Sequence, residues 1–254
     1  MIRFLIRLTG FGAVVALFAL FVVQGRHLLP VPVPVPVQDG LGLSADITDI
    51  RARQMPVLTR ALAPIGADPG NAVYLRVFKE EAELELWIDT PIGLQLFRTY
   101  PICNYSGDLG PKLREGDHQA PEGFYQVRQG SLNPNSRFHL SFNLGFPNAY
   151  DRAHGRTGSF LMIHGACLSV GCYAMTDPMI EEIYVLVEAA LRAGAPHVDV
   201  HAFPFRMTPA RMAQARDHKW YGFWQQLEPA FAGFEATGQV PQITIAGGTY
   251  LISG

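Results

Sequence analysis

The stretch "VYLRVFKEEAELELWIDTPIGLQLFRTY", residues 73–100, indicates the fold class of this chain. Within it, residues 73–78, 84–88 and 94–100 alternate, or nearly alternate, between apolar and polar side chains, as β-strands do. An acidic run separates the first two segments, and "DTPIG" separates the second from the third. Because connections this short join antiparallel strands, the stretch predicts an antiparallel sheet.

The β pattern continues beyond this sheet and is flanked by helical patterns. Further strands are predicted at residues 124–127, 138–142, 160–164 and 197–203, and helices at residues 45–62, 177–191 and 210–227. Pro56 is expected to break or restart the first helix. Asp177 is expected to cap the second, with Pro178 at its first position. The prediction is a mainly β domain with flanking helices, an α+β fold without internal repeats.

The N-terminal segment differs in kind from the rest. Arg3 and Arg7 precede an apolar run over residues 8–23, which is typical of an export signal or a membrane anchor. The alternating prolines of "LPVPVPVPVQDG" then favour a stiff polyproline II spacer. The predicted segments are a signal anchor or cleaved signal peptide at residues 1–27, a Pro-rich linker at 28–40 and the folded domain at 41–254.

Composition bounds the possible functions. The chain has 254 residues, 48% of them hydrophobic and 17% charged, so it can bury a core without stabilising metals. The formal net charge is −2, with no clustered basic segment. Nucleic acid is therefore not expected as a partner.

The segment "IHGACLSVGC" carries the chemistry that the sequence suggests. It holds two of the three cysteines, Cys167 and Cys172, directly after His164. A cysteine nucleophile needs a base, and histidine is suited to that role near neutral pH. Gly165 and Gly171 would let the loop fold back so that Cys172 faces His164. The backbone N–H groups beside Cys172 would then be open to a developing oxyanion.

Other interpretations of these patterns remain open at this point. The histidine and both cysteines of this segment could bind zinc, but a fourth ligand is missing. "CLSVG" is a near match to a serine nucleophile elbow. "HVDVH" places His197, Asp199 and His201 on one face of a strand. That face could bind a metal ion, or it could be the solvated face of an edge strand. Simple packing of a buried cysteine near a histidine is the remaining alternative. We expect neither a metal nor a cofactor.

A family resemblance adds to these patterns. "IHGACLSVGC" is similar to the L,D-transpeptidase catalytic-domain signature of the YkuD type, a His-Gly followed by Ser-x-Gly-Cys. "GDLGPKLREGDHQAPEGFYQV" resembles another segment of that family, and "SFNLGFPNAYDR", "GCYAMTD" and "FPFRM" resemble its YafK-like murein branch. The resemblance covers residues 73–207. It implies a β-sandwich-like catalytic domain, carrying a C-terminal extension and lying behind an N-terminal membrane helix.

The resemblance also implies roles for individual residues. Cys172 matches the nucleophile and His164 the base, while Ser169 and Gly171 match residues that shape the nucleophile's loop.

Three positions depart from the family pattern. Val170 stands where a histidine is common, and Ala120 where a threonine is common. Ala174 stands where members often have an arginine. The last departure leaves open how a substrate carboxylate is held.

The implied function is periplasmic acyl transfer on peptidoglycan stem peptides. Cys172 would attack the carbonyl at the L-centre of a diamino acid and form a thioester, which an amine or water resolves. The outcome is cross-linking, attachment of a lipoprotein, or hydrolytic release of a lipoprotein. A silent peptidoglycan-binding module is the alternative from another class. The expected partners are stem peptides, a peptidoglycan-linked lipoprotein, and the membrane through the N-terminal helix.

A disulfide is expected between the two remaining cysteines. Cys172 must stay a free thiol in an oxidising compartment, so Cys167 should be engaged elsewhere. Cys103 ends a predicted strand where "YPICNYSG" turns, and it could meet Cys167 at the same sheet end. The alternative is that both are buried reduced thiols.

Overall fold

The computed structural model of the chain describes residues 46–253, all within the unit Gly42–Gly254. The predicted signal segment, residues 1–27, and the predicted linker, residues 28–40, lie outside the described residues. Within residues 46–253, no helix is both long and apolar enough to span a bilayer.

The described part contains five α-helices and twelve strands. The helices are α1 (Ile47–Leu62), α2 (Ala149–Ala153), α3 (Asp177–Arg192), α4 (Pro209–Gln214) and α5 (Tyr221–Thr237). The strands are β1 (Val73–Phe78), β2 (Glu83–Thr90), β3 (Gly93–Pro101), β4 (Asn104–Tyr105), β5 (Gly123–Val127), β6 (Leu132–Asn133), β7 (Ser141–Asn143), β8 (Met162–His164), β9 (Tyr173–Ala174), β10 (Val198–Phe203), β11 (Gln242–Ala246) and β12 (Thr249–Ser253). This is a mixed α+β fold, as predicted.

One five-stranded sheet, here called the framework sheet, has the strand order β3-β2-β1-β10-β5. β1, β2 and β3 are antiparallel neighbours, which confirms the sheet predicted from residues 73–100. β10 pairs with β1 in parallel, because the chain between them passes through a second sheet and α3.

Apolar clusters cover the framework sheet, and every residue of β1 is buried. Leu75 and Val77 belong to a cluster that contains the buried side of α3. Phe78 belongs to another, with Phe203 of β10 and Trp224 of α5. Because alternate side chains of a strand point to opposite faces, the two clusters lie on opposite sides of β1.

The second five-stranded sheet, here called the site sheet, has the order β4-β9-β8-β7-β6. Its strands are only two or three residues long. β8 and β9 pair in parallel, and the other neighbours are antiparallel. A two-stranded antiparallel sheet, β11-β12, follows α5.

Two predicted strands of the site sheet are shorter than expected. The strand predicted at residues 138–142 begins at Ser141, because His139 has a φ of +67° and interrupts the extended backbone. The strand predicted at residues 160–164 begins at Met162, because Phe160 has a φ of +54°. Left-handed backbone at these residues cannot continue a β ladder.

The helices required three corrections. Pro56 lies inside α1 without breaking it. Proline has no N–H, so the carbonyl of Ala52 loses its helical partner. Both residues are exposed, so water can hydrogen-bond that carbonyl. Thr176 is the N-cap of α3, and Asp177 is its first helical residue. The predicted helix at 210–227 is two helices, α4 and α5.

Candidate active site

The parallel pairing of β8 and β9 brings His164 and Cys172 together. Its register pairs Ile163 with Tyr173 and His164 with Ala174, and Cys172 immediately precedes β9. Residues two apart on a strand share a face, so Cys172 and His164 lie on the same side of neighbouring strands. Both line one cavity of about 440 Å³.

The hydrogen bond of His164 defines its free nitrogen. Nδ1 lies 2.6 Å from the carbonyl oxygen of Gly165. Since a carbonyl only accepts, the neutral ring must carry its proton on Nδ1, which leaves Nε2 able to accept one. Burial lowers the pKa of His164 below 6.5, although the bond to Gly165 opposes this. The neutral ring, which is the form a base requires, therefore predominates at neutral pH.

Cys172 is the free thiol of the described residues. Burial raises the pKa of Cys172 above 9.0, opposed by the backbone N–H of Met162 and the charge of Lys112. That N–H donates to Sγ at 3.4 Å. The thiol is therefore protonated at rest, and a base must remove its proton before attack.

Ser169 and Ser106 hold the loop that precedes Cys172. Ser169 Oγ donates to the carbonyl of Cys172 at 2.7 Å and accepts from its N–H at 3.0 Å. The N–H of Gly171 donates to Ser106 Oγ. Gly171 has a φ of +103°, which favours glycine. The expectation that these N–H groups are open to an oxyanion is wrong, because both are bonded to serine hydroxyls.

The start of the loop has strained backbone that nearby contacts hold in place. Ala166 and Cys167 have φ values of +65° and +55°. Asp177 Oδ1 accepts from the N–H of Ala166 at 2.7 Å, and the N–H of Cys167 donates to Met175 at 3.2 Å. A Cβ on Gly165 would lie 2.7 Å from Asp177 Oδ1 and 3.0 Å from His139 Cβ, so a larger residue here would displace the carboxylate that holds the N–H of Ala166.

The disulfide prediction is confirmed. Cys103 and Cys167 are bonded, with Cα atoms 5.4 Å apart. The N–H of Cys103 also donates to the carbonyl of Ala174, so the bridge lies beside β9. The zinc interpretation is wrong, because Cys167 is not available as a ligand. The hydroxyl of Ser169 is bonded to the backbone of Cys172, which does not favour the serine-elbow interpretation.

The "HVDVH" pattern has a structural explanation. β10 is an interior strand of the framework sheet, so the solvated-edge interpretation is wrong. His201 is buried, with Nδ1 2.8 Å from the hydroxyl of Tyr74. His197 lies 3.4 Å from Asp199. Across residues 46–253, no group of three His, Cys, Asp or Glu side chains could hold a metal ion.

The three departures from the family pattern have different surroundings. Ala174 and Ala120 are fully buried, and the N–H of Ala120 donates to the carbonyl of Ser106. Val170 is 72% exposed. The position of Ala174 therefore offers no charge to a substrate.

Sequence reasoning did not identify Lys112 and Asp117 as site residues. Lys112 Nζ lies 2.6 Å from Asp117 Oδ1, and Asp117 also accepts from three N–H groups of its own loop. Burial favours a higher pKa for Asp117, but these bonds outweigh it and lower the pKa below 3.8. The sequence feature that could have identified both residues is the Pro-Lys and Gly-Asp pairs of "GPKLREGD", which contain them.

A buried ion pair joins this loop to the framework sheet. Lys79 follows β1 and Glu122 precedes β5, with Nζ and Oε1 3.1 Å apart and both side chains fully buried. Glu122 accepts from the N–H of Gly110 at 2.6 Å and from Trp224 Nε1 at 2.8 Å. Burial lowers the pKa of Lys79, and the charge of Glu122 opposes this. The pair therefore ties the loop and α5 to two framework strands.

Comparison with individual sequence relatives identifies the family, although no family model matches the chain. It is 48% identical over 184 residues to the "Putative L,D-transpeptidase YafK" of Escherichia coli K12, covering 72% of this chain and 75% of that protein. The protein of the same name from Escherichia coli O157:H7 matches equally.

Solved structures show weaker likeness. The helical cell shape determining protein Pgp2 from Campylobacter jejuni is 17% identical, with a TM-score of 0.43 over 74% of this chain and 80% of that one. Mycobacterium tuberculosis L,D-transpeptidase 1 is 13% identical, with a TM-score of 0.29 over 52% and 62%. The sequence relatives carry the assignment: this chain belongs to the L,D-transpeptidase family, in its YafK-like branch.

Proposed function

We propose that the chain is a cysteine acyl-transfer enzyme that modifies peptidoglycan stem peptides. The observation that carries this proposal is the free thiol of Cys172, which shares a cavity and a sheet face with His164. Membership of the L,D-transpeptidase family supports peptidoglycan as the substrate class. Ser169 and Gly171 shape the loop and take no part in bond making.

The first half-reaction follows from the resting protonation states. His164 Nε2 takes the proton of the Cys172 thiol, and Sγ attacks the carbonyl carbon at the L-centre of the diamino acid. The bond from that carbon to the nitrogen of the next residue then breaks. His164 returns the proton to the departing amine, which leaves a thioester on Cys172. The carbonyl of Gly165 keeps the ring in the required tautomer.

The second half-reaction defines the product. An amine attacking the thioester cross-links two stems or attaches a lipoprotein, whereas water completes a hydrolysis. We propose transfer to an amine as one outcome of this step, in keeping with the L,D-transpeptidase family, while the resemblance to the YafK-like branch favours hydrolysis of the lipoprotein link. Hydrolytic release of a lipoprotein is the alternative, and the experiment below separates the two.

We further propose that the enzyme works in the periplasm, anchored to the inner membrane or released after signal cleavage. Arg3 and Arg7 before the apolar run support export. The Cys103–Cys167 disulfide also supports an oxidising compartment, since such bonds are rare in a reducing cytosol. The proline-rich segment would then act as a spacer between the membrane and the domain.

The test incubates the full-length chain with two diaminopimelate stem peptides whose side-chain amine is acetylated, so that neither can act as its own acceptor. One is a tetrapeptide, used with and without an added acceptor amine, and the other is a tripeptide joined through its L-centre carboxyl to lysine, which mimics a lipoprotein link. Products are identified by mass spectrometry. Transfer of the tetrapeptide's acyl group to the added amine supports transfer, and free tripeptide released from the lysine conjugate supports lipoprotein hydrolysis. Cys172→Ala should give neither. Retention of the peptide without any product from the unaltered chain would contradict the proposal and favour a binding module.

A further inference from the structure

The cavity at Cys172 is lined by residues without a carboxylate. The one formally charged side chain among them is Arg137, since burial favours the neutral form of His164. The lining residues are Asn133, Asn135, Ser136, Arg137, Phe138, Phe160, Met162, His164 and Cys172. A cavity with a cation and no anion favours an anionic group.

Arg137 has no ion-pair partner within residues 46–253. Most other arginines there are neutralised, for example Arg51 by Glu188 at 2.6 Å and Arg211 by Glu80 at 2.7 Å. No carboxylate oxygen of the described residues lies within 4.0 Å of a nitrogen of Arg137, and its side chain is exposed. Its guanidinium is therefore available to a ligand.

The segment around Arg137 is fixed to the histidine strand. The N–H of Phe138 donates to Ser136 Oγ at 3.0 Å, and the N–H of Gly165 donates to the carbonyl of Phe138 at 3.1 Å. The ring of Phe138 lies 4.8 Å from that of His164, centre to centre. These contacts hold the backbone of Arg137 at a defined position beside the reacting groups.

We propose that Arg137 binds a carboxylate of the acyl-donor peptide and so sets the substrate preference of this cavity. The inference rests on the proposed function and names the residue that selects the donor. A guanidinium can bind a carboxylate through two parallel hydrogen bonds, which fixes its orientation as well as its charge. The carboxylate has two sources: the C-terminus of the leaving residue, or the second carboxyl of the diamino acid.

The test measures peptide binding by calorimetry to the full-length Cys172→Ala chain, with and without Arg137→Gln. Three stem tetrapeptides are compared: the free acid, its C-terminal amide, and the amide of the second diamino-acid carboxyl. Arg137→Gln should weaken binding of the free acid roughly 10- to 100-fold, since hydrogen bonds to charged groups are strong. It should leave unchanged the affinity for the peptide in which the recognised carboxylate is amidated. That peptide therefore identifies which of the two carboxylates Arg137 binds.

Arg216→Gln is the matched control, because Arg216 is also exposed and unpaired within residues 46–253 but does not line the cavity. Arg137→Lys should restore part of the affinity through its charge. An equal loss for all three peptides, no loss for any, or no measurable binding to Cys172→Ala would overturn the proposal. Arg137-dependent binding by a chain that forms no thioester would leave the carboxylate site standing while removing the proposed function.

Discussion

Each of the two five-stranded sheets contains a buried histidine, and the two differ in what surrounds them. His201 of the framework sheet and His164 of the site sheet are 1% and 2% exposed, and burial lowers the pKa of both, that of His201 to about 3. His201 bonds to the hydroxyl of Tyr74 and packs against the ring of Phe124. His164 bonds to a backbone carbonyl and lines a cavity with Cys172. Both histidines are therefore buried, and what distinguishes His164 is that it lines a cavity together with a free thiol.

Replacing the two histidines separately gives the largest expected contrast. His164→Gln should slow thioester formation about 10²- to 10⁴-fold, the usual contribution of a general base. His201→Gln should leave the rate nearly unchanged and lower the free energy of unfolding by about 1–3 kcal/mol, because Tyr74 loses its buried partner. Single-turnover kinetics and urea unfolding of both variants measure the contrast. Similar rate losses in both would remove the distinction between the sheets.

Lys79→Met tests whether the buried ion pair of Lys79 and Glu122 stabilises the framework sheet. Removing one partner of a buried ion pair leaves an uncompensated charge, so the free energy of unfolding should fall by about 3–5 kcal/mol. The double variant Lys79→Met/Glu122→Gln is the control and should recover part of the loss. Chemical unfolding of both proteins gives the values. A single-variant loss below about 1 kcal/mol would show that the pair does not stabilise this end of the sheet.

The framework sheet was predictable because its strands are long enough to show the alternation of apolar and polar residues that is typical of β-strands. Residues 84–88 and 94–100 were predicted as strands, and the structure extends each by only one or two residues at either end. In β1 the polar position, Arg76, is buried, yet the apolar majority still indicated a strand.

The site sheet was less predictable because long-range contacts determine its backbone. Strands of two or three residues are too short for a period to show. The left-handed conformations of His139 and Phe160, which are not glycines, had no signal in the sequence. The bond from Gly171 to Ser106 spans 65 positions, which explains why the open N–H groups were expected wrongly. The Cys103–Cys167 bridge was predictable because it required only that two predicted strand ends meet.

The disulfide is expected to stabilise the site sheet more than the framework. Cys103→Ser should lower the free energy of unfolding by about 2–4 kcal/mol, because the unfolded chain loses a cross-link between residues 64 positions apart. It should also raise hydrogen exchange near Cys167, whose strained backbone loses an anchor. Exchange measured by mass spectrometry, with framework peptides as the internal reference, provides the test. A uniform rise across both sheets would contradict the local role.

The pH dependence of thioester formation is expected to show the smallest effect. Burial lowers the pKa of His164 below 6.5 and raises that of Cys172 above 9.0. The active pair, neutral imidazole and thiol, therefore persists between these values. The rate should be flat from about pH 6.5 to 9 and fall only at lower pH, where His164 becomes protonated. An acid limb centred above pH 7 would contradict the assignment of His164 as a buried neutral base.

Trapping the acyl-enzyme tests the central claim most directly. The full-length chain is mixed with the stem tetrapeptide whose side-chain amine is acetylated, without an added acceptor, quenched in acid and analysed by intact and peptide-level mass spectrometry. We predict an adduct of the donor acyl group on Cys172, absent in Cys172→Ala and reduced but present in Ser169→Ala, because Ser169 holds the loop without attacking. An adduct on Ser169, or unchanged turnover by Cys172→Ala, would contradict the account.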